Sequence, residues 1–253
     1  MKIWFQGATD RALMSPYIAK VEAHFKAVLD ADSTFSFSTT TPPATTTHAL
    51  TEYRVGRSFI RNASQAEKEG YDVVAVTHFQ DPGLSEAKSA VGIPVLGLGE
   101  TTLHFACTLG RKLGLVTINP AFIPWHEDQI AKYGLQSRIV GVRAVDAGVL
   151  DYIEAFSSKA KYEQLLPKWE KECRTLLEAG ADVIVPAGGI PMMLFGGAPG
   201  ACIDGAPIIN GMTVIAKAAE MAVKLSRLGG IGCSRRSNFA RAPEKALKEF
   251  LES

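Results

Sequence analysis

Glu69-Gly70-Tyr71-Asp72-Val73-Val74-Ala75-Val76-Thr77-His78 returns, without a gap, as Ala179-Gly180-Ala181-Asp182-Val183-Ile184-Val185-Pro186-Ala187-Gly188. The offset, 188 less 78, is 110 residues. A second pair follows, Gly92-Ile93-Pro94-Val95-Leu96 and Gly205-Ala206-Pro207-Ile208-Ile209, at an offset of 113, so the second connecting loop is three residues longer. Self-similarity over such a span identifies a duplicated unit before any motif is weighed. Each copy reads helix, Gly-x-Asp, buried strand, loop, Gly-x-Pro, strand, helix. Right-handed crossovers assemble such a string into a parallel sheet.

Strand-length apolar runs extend the pattern: Lys2-Gln6, Phe35-Thr39, Leu115-Ile118 and Ile139-Val142 join the repeated strands at 73–76, 95–98, 183–185 and 208–209. Helix-length amphipathic stretches lie between them at 16–29, 52–68, 101–113, 124–133, 159–178 and 213–226. Alternating apolar strands and helices imply sheets covered on both faces. The expected fold is α/β, with two pseudo-symmetric lobes, each a parallel sheet flanked by helices. Residues 1–112 with 212–253 are expected to make the first lobe and 113–211 the second. In open parallel sheets ligands collect beyond the carboxyl ends of the strands, so the site is expected in the cleft between lobes.

With 253 residues the chain can bury a substantial core. A formal net charge of +1 supplies no electrostatic case for nucleic acid or an anionic membrane as partner. No run of about 20 apolar residues is present to span a bilayer, and the polar start argues against a secretory signal, so a cytoplasmic protein is expected. Cys107, Cys173, Cys202 and Cys233 are scattered without a CxxC pair, which fits reduced thiols better than disulfides or zinc.

The repeat places Thr77-His78 opposite Ala187-Gly188. His78 precedes Phe79-Gln80-Asp81-Pro82-Gly83, a turn signal that would hold the ring at a strand tip, where it could exchange protons near neutral pH. The alternative is a histidine that merely bonds a loop carbonyl. Thr77, Phe79 and Gln80 are expected to contact substrate from the same loop. Asp81, before proline, reads as a turn-former.

The second tip, Pro186-Ala187-Gly188-Gly189-Ile190-Pro191, carries no acid, base or nucleophile. Its glycines could offer backbone N–H groups to a carboxylate or oxyanion, so Ala187, Gly188 and Gly189 are expected at the substrate. The continuation through Met192 to Gly200 could be a hinged lid. Gln6 and Thr9 after the first strand, and Thr117 in the strand that opens the second lobe, are further substrate anchors. The hydroxyl-rich run 38–48 lines the cleft or is a plain polar loop. Gly229-Gly230-Ile231-Gly232 lacks the strand-turn-helix context of a phosphate loop. No metal site is expected, because the histidines lack ligand spacing.

Val76-Thr77-His78-Phe79-Gln80-Asp81-Pro82-Gly83-Leu84, then Ile93-Pro94-Val95-Leu96-Gly97-Leu98-Gly99-Glu100, resembles the hydantoin racemase branch of the aspartate/glutamate racemase superfamily. The likeness continues through Leu113-Gly114-Leu115-Val116-Thr117 and Ala206-Pro207-Ile208-Ile209-Asn210-Gly211, almost the whole chain. It implies a cofactor-independent site between two lobes, where two cysteines, one per lobe, remove and return a proton beside a carbonyl. Those cysteine positions fall on His78 and Gly188. Maleate isomerases and arylmalonate decarboxylases resemble this chain too.

With one titratable tip the expected chemistry is one-sided acid/base work on a small carboxylate or cyclic amide: an isomerase or lyase acting through an enolate-type intermediate, not a two-cysteine racemase. A hydrolase using water activated by His78 and a non-catalytic small-molecule binding protein are the alternatives. A homo-oligomer with no cofactor is expected.

Overall fold

The computed structural model describes residues 1–252. The first sheet has the order β2-β1-β3-β4, formed by β1 (Lys2–Gln6), β2 (Thr34–Ser38), β3 (Val73–Val76) and β4 (Val95–Gly97), all parallel. The second has the order β6-β5-β7, from β5 (Leu113–Thr117), β6 (Ile139–Ala144) and β7 (Val183–Pro186), again parallel. Helices α1 (Ser15–Val28), α2 (Ala49–Lys68), α3 (Leu84–Ala90) and α4 (Leu98–Ala106) belong to the first half. They are followed by α5 (Ile123–Lys132), α6 (Val149–Ala155), α7 (Lys159–Glu178) and α8 (Gly189–Phe195), then α9 (Gly211–Gly229) and α10 (Glu244–Glu252). Every residue of β3, β5 and β7 is buried, as helices on both faces of a parallel sheet require. One apolar cluster runs through both sheets, from Ile3, Phe5 and Val73 to Leu115, Val185 and Met212. α9 returns from the second lobe to pack on α4 and α1.

The repeated Gly-x-Asp has a physical role in each copy. The glycine ends the preceding helix, with Tyr71 N–H bonding Ala66 O in one copy and Ala181 N–H bonding Leu176 O in the other, both at 3.0 Å. The aspartate then ties down the start of the neighbouring strand. Asp72 accepts from Lys2 N at 2.7 Å, while Asp182 accepts from Arg111 N at 2.9 Å and Lys112 N at 2.8 Å. That second anchor also corrects the helix expected to run to Leu113. α4 stops at Ala106, and Leu113 opens β5.

Two more expectations change. Ile208-Ile209 is not a full strand: Ile208 makes a single parallel bridge to Ile184. The three extra residues of the longer loop are taken up in an antiparallel hairpin, β8 (Cys202–Ile203) against β9 (Ala206–Pro207), turned by Asp204 and Gly205 at positive φ. The expected lid over Met192–Gly200 begins instead with the end of α8, which is packed in the core, and only Gly197 to Gly200 are exposed. Met192 is 0% exposed and Phe195 stacks on Trp169 at 4.4 Å, so its apolar residues belong to the core.

Candidate active site

The tips of β3 and β7 open on one cleft of about 370 Å³. After Val76, the chain is still held to β1: Thr77 N–H donates to Gln6 O at 2.8 Å, and the Thr77 hydroxyl donates to the same oxygen at 3.1 Å. His78 then leaves the sheet. Its loop is closed by Asp81 N–H on His78 O at 3.0 Å, with Asp81 at φ 52. The buried Asp81 carboxylate accepts from Gly99 N at 3.1 Å, Glu100 N at 2.6 Å and the Tyr133 hydroxyl at 2.7 Å. Burial pushes its pKa up to about 6 against the pull of those donors. Gln129, from α5, donates to Phe79 O. The histidine loop is therefore fixed from both lobes.

His78 meets a partner that the sequence reading missed. Its Nε2–H donates to the Glu52 carboxylate, 2.9 Å from Oε2 and 3.1 Å from Oε1, with both side chains about four-fifths buried. Glu52 sits in the first turn of α2, where the helix N-terminus favours an anion. One turn on, Gly56 meets Gly83 of the histidine loop so closely that a Cβ on Gly83 would lie 2.6 Å from Gly56 O. This backbone contact brings the Glu52 face of α2 onto the β3 tip. With Nε2–H committed to the carboxylate, the ring's lone pair is on Nδ1, which has no protein partner among the described residues. No local signal joins residues 52 and 78, so only the packing of α2 reveals the pair.

Thr9, Thr77, Phe79, Gln80, Ala187, Gly188 and Gly189 all line the cleft, together with Thr45, Thr46 and Thr47. Arg54 holds the threonine loop by donating to Pro42 O and Pro43 O. Two expected anchors do not reach the cleft. Gln6 is fully buried beneath it, accepting from Trp4 Nε1 at 2.9 Å and Asn62 Nδ2 at 2.8 Å, and donating to Gly7 O at 2.8 Å. Thr117 is also fully buried, its hydroxyl 3.3 Å from His126 Nε2. Each points inward because a strand alternates its side chains between faces.

The glycine tip also differs from expectation. Ala187 N–H is spent on Val116 O at 2.8 Å and Gly188 N–H on Pro186 O at 3.0 Å. Those two amides bond within the lobe, whereas the Gly189 N–H, at the first position of α8, has no acceptor among the described residues. Gly188 stands at φ 150, where side chains are strained. The rest of the second-lobe wall is apolar, from Ile118, Phe122, Val149, Leu150, Ile190 and Pro191. Among the described residues no three His, Cys, Asp or Glu side chains converge to hold a metal ion, and no helix is long and apolar enough to cross a membrane.

Residues 15–219 match the family described as Asp/Glu/hydantoin racemase. The chain belongs to that family. A hydantoin racemase of Pseudomonas sp. (strain NS671) is 29% identical over 188 residues, 73% of this chain and 72% of the relative. One of Rhizobium meliloti is 30% identical over 161 residues, 62% of each chain. An allantoin racemase structure from Klebsiella pneumoniae superposes with a TM-score of 0.78 at 23% identity, covering 96% of this chain and 94% of that one. The protein is thus an enzyme of a racemase family, with the family's two-lobed α/β fold. Its cleft holds histidine and glycine at the paired strand tips, and all four of its cysteines lie outside the cleft lining.

Proposed function

We propose that this racemase-family enzyme is a one-base isomerase or lyase acting at the carbon beside a carbonyl of a small cyclic amide or carboxylate. His78 is the base and Glu52 holds it. The observation that carries the reading is the Glu52–His78 pair at 2.9 Å, because a carboxylate on Nε2–H fixes the tautomer and supports the positive charge that the ring takes up. The carbon–hydrogen bond breaks, its proton goes to Nδ1, and the electron pair moves onto the carbonyl oxygen as an enolate. Reprotonation of the enolate, or expulsion of a leaving group with its bonding pair from the neighbouring carbon to leave a C=C bond, completes the turnover. Gly188 offers no second acid or base, which separates this reading from two-thiol racemisation.

The wall chemistry supports a substrate that presents its polar ring or carboxylate to the first lobe and an apolar substituent to Ile118, Phe122 and Leu150. A hydrolytic reading keeps a single glycine amide, that of Gly189, as oxyanion donor, since those of Ala187 and Gly188 are already bonded.

The test uses 5-benzylhydantoin and phenylmalonate in deuterium oxide, followed by proton NMR. Deuterium is expected at the carbon beside the carbonyl, and His78→Asn is expected to slow its appearance by about 10³-fold, within the range of a lost general base. No enzyme-dependent label on either compound, or a His78→Asn variant as fast as the unaltered protein, removes this reading.

A further inference from the structure

We propose that the Tyr17 hydroxyl is the donor that binds the substrate's carbonyl oxygen, the atom on which negative charge develops, at the glycine end of the cleft. The proposal rests on the one-base reading above and gives that reading a side-chain donor for the oxygen.

Tyr17 lies in the first turn of α1, just after Pro16, and lines the cleft although the residue is only 5% exposed. The helix carries it there because Ile18, Val21 and Phe25 are locked into the core below. Its ring crosses to the second lobe, resting on Phe156 at 5.5 Å between centroids. The hydroxyl oxygen fills the place where a Cβ on Gly189 would stand, with the Met212 methyl 2.8 Å from the same point. Gly189 is therefore the residue that makes room for it. Where the second tip has no side chain of its own, a phenol from the first lobe's leading helix occupies the position.

No group among the described residues hydrogen-bonds this hydroxyl. The Tyr152 hydroxyl is also unpartnered, but it is sealed from solvent, whereas that of Tyr17 is not among the sealed polar atoms. A hydroxyl with no protein partner that still opens on the cleft is free to bond a ligand oxygen. Burial pushes the phenol pKa well above its ordinary value, so the group stays protonated and donates. A neutral donor in a water-poor cleft is suited to an enolate oxygen, as a preorganised oxyanion donor is.

Tyr17→Phe in the full chain deletes only the oxygen. Deuterium exchange into 5-benzylhydantoin is expected to slow by about 10²–10³-fold, mainly in kcat, as for loss of an oxyanion donor. The Tm is expected to hold or rise, since no protein hydrogen bond is lost. Exchange within about twofold of the unaltered protein overturns the proposal. So does a fall in Tm with unchanged exchange, which would make the hydroxyl structural. Inversion at the carbon by the unaltered protein that Tyr17→Phe abolishes with exchange intact also overturns it, because Tyr17 would then carry a proton to the opposite face.

Calorimetric binding of the same hydantoin separates this proposal from the one-base reading. If the unaltered protein binds the compound without exchanging it, the base assignment fails. Weaker binding by Tyr17→Phe, by about tenfold, would still support the donor, and equal binding would remove it. An unaltered protein that does not bind the compound overturns the donor proposal, while the one-base reading is then decided by the label on phenylmalonate.

Discussion

The tips of β3 and β7 start from the same scaffold and finish with opposite chemistry. Both follow a Gly-x-Asp anchor and a fully buried strand, and both hand the chain to a turn that faces the cleft. At the first tip a titratable ring stands against a carboxylate that faces it from α2. At the second, Gly188 is held at φ 150 with its amide turned back on Pro186, and the surrounding wall is apolar. Duplication has kept the groups that hold the sheets together, because losing a strand anchor would expose unpaired backbone. Tip residues carry no such duty, so one lobe could become the chemical half and the other the shape-determining half.

The comparison is sharpened most at the joint between the tips, where His126 sits fully buried between Thr117 of β5 and the Phe79 ring beside the first tip. Burial lowers its pKa from 6.5 to about 4, with the nearby His78 adding to the shift. A histidine whose folded pKa is depressed costs stability as pH falls, because the unfolded chain binds the proton first, below pH 6.5. The native state follows only near pH 4. The raised pKa of Asp81 acts in the other sense, removing stability as pH rises from about 4 to about 6. The difference between His126→Asn and the unaltered protein isolates the histidine. Lowering the pH from 7 to 4 is expected to improve the variant's relative stability by up to about 3 kcal/mol. Denaturant melts at several pH values check this, and a pH-independent difference would mean that His126 is not held neutral between the tips.

A smaller effect is expected from installing a thiol at the bare tip. Gly188→Cys forces a side chain into a strained φ, with its Cβ 3.2 Å from the Pro191 ring, and should lower stability by about 2 kcal/mol without creating two-base racemisation. Thermal melts and chiral analysis of the hydantoin test it. Rapid inversion by this variant would show that the two tips are chemically equivalent after all. The mildest change is Glu52→Gln, which keeps the shape and removes the charge behind His78. Exchange is expected to slow about tenfold, roughly 1.4 kcal/mol in the barrier, with a normal Tm. An unchanged rate would reduce the pair to a structural contact.

Much of this architecture is local and therefore legible along the chain. Continuous apolar runs, helix-ending glycines and strand-anchoring aspartates act over a few residues and recur in both copies, so the duplicated α/β unit and the pairing of His78 with Gly188 follow from the order of residues. Side-chain direction at the tips was less legible. Gln6 and Thr117 are polar residues at strand ends, yet the register of the sheets turns them inward to satisfy buried partners. That the Gly188 amide is bonded while that of Gly189 is not is equally illegible, because a sequence does not disclose which N–H groups already have acceptors. Glu52 and Tyr17 lie 26 and 61 residues before His78 and carry ordinary helical contexts. They enter the cleft through the Gly56–Gly83 contact and the space left at Gly189, both set by how close one backbone or ring can come to another. The chain's own order thus specifies two matching strand tips. Close packing between distant elements decides which groups surround them, since that depends on distances no local pattern encodes.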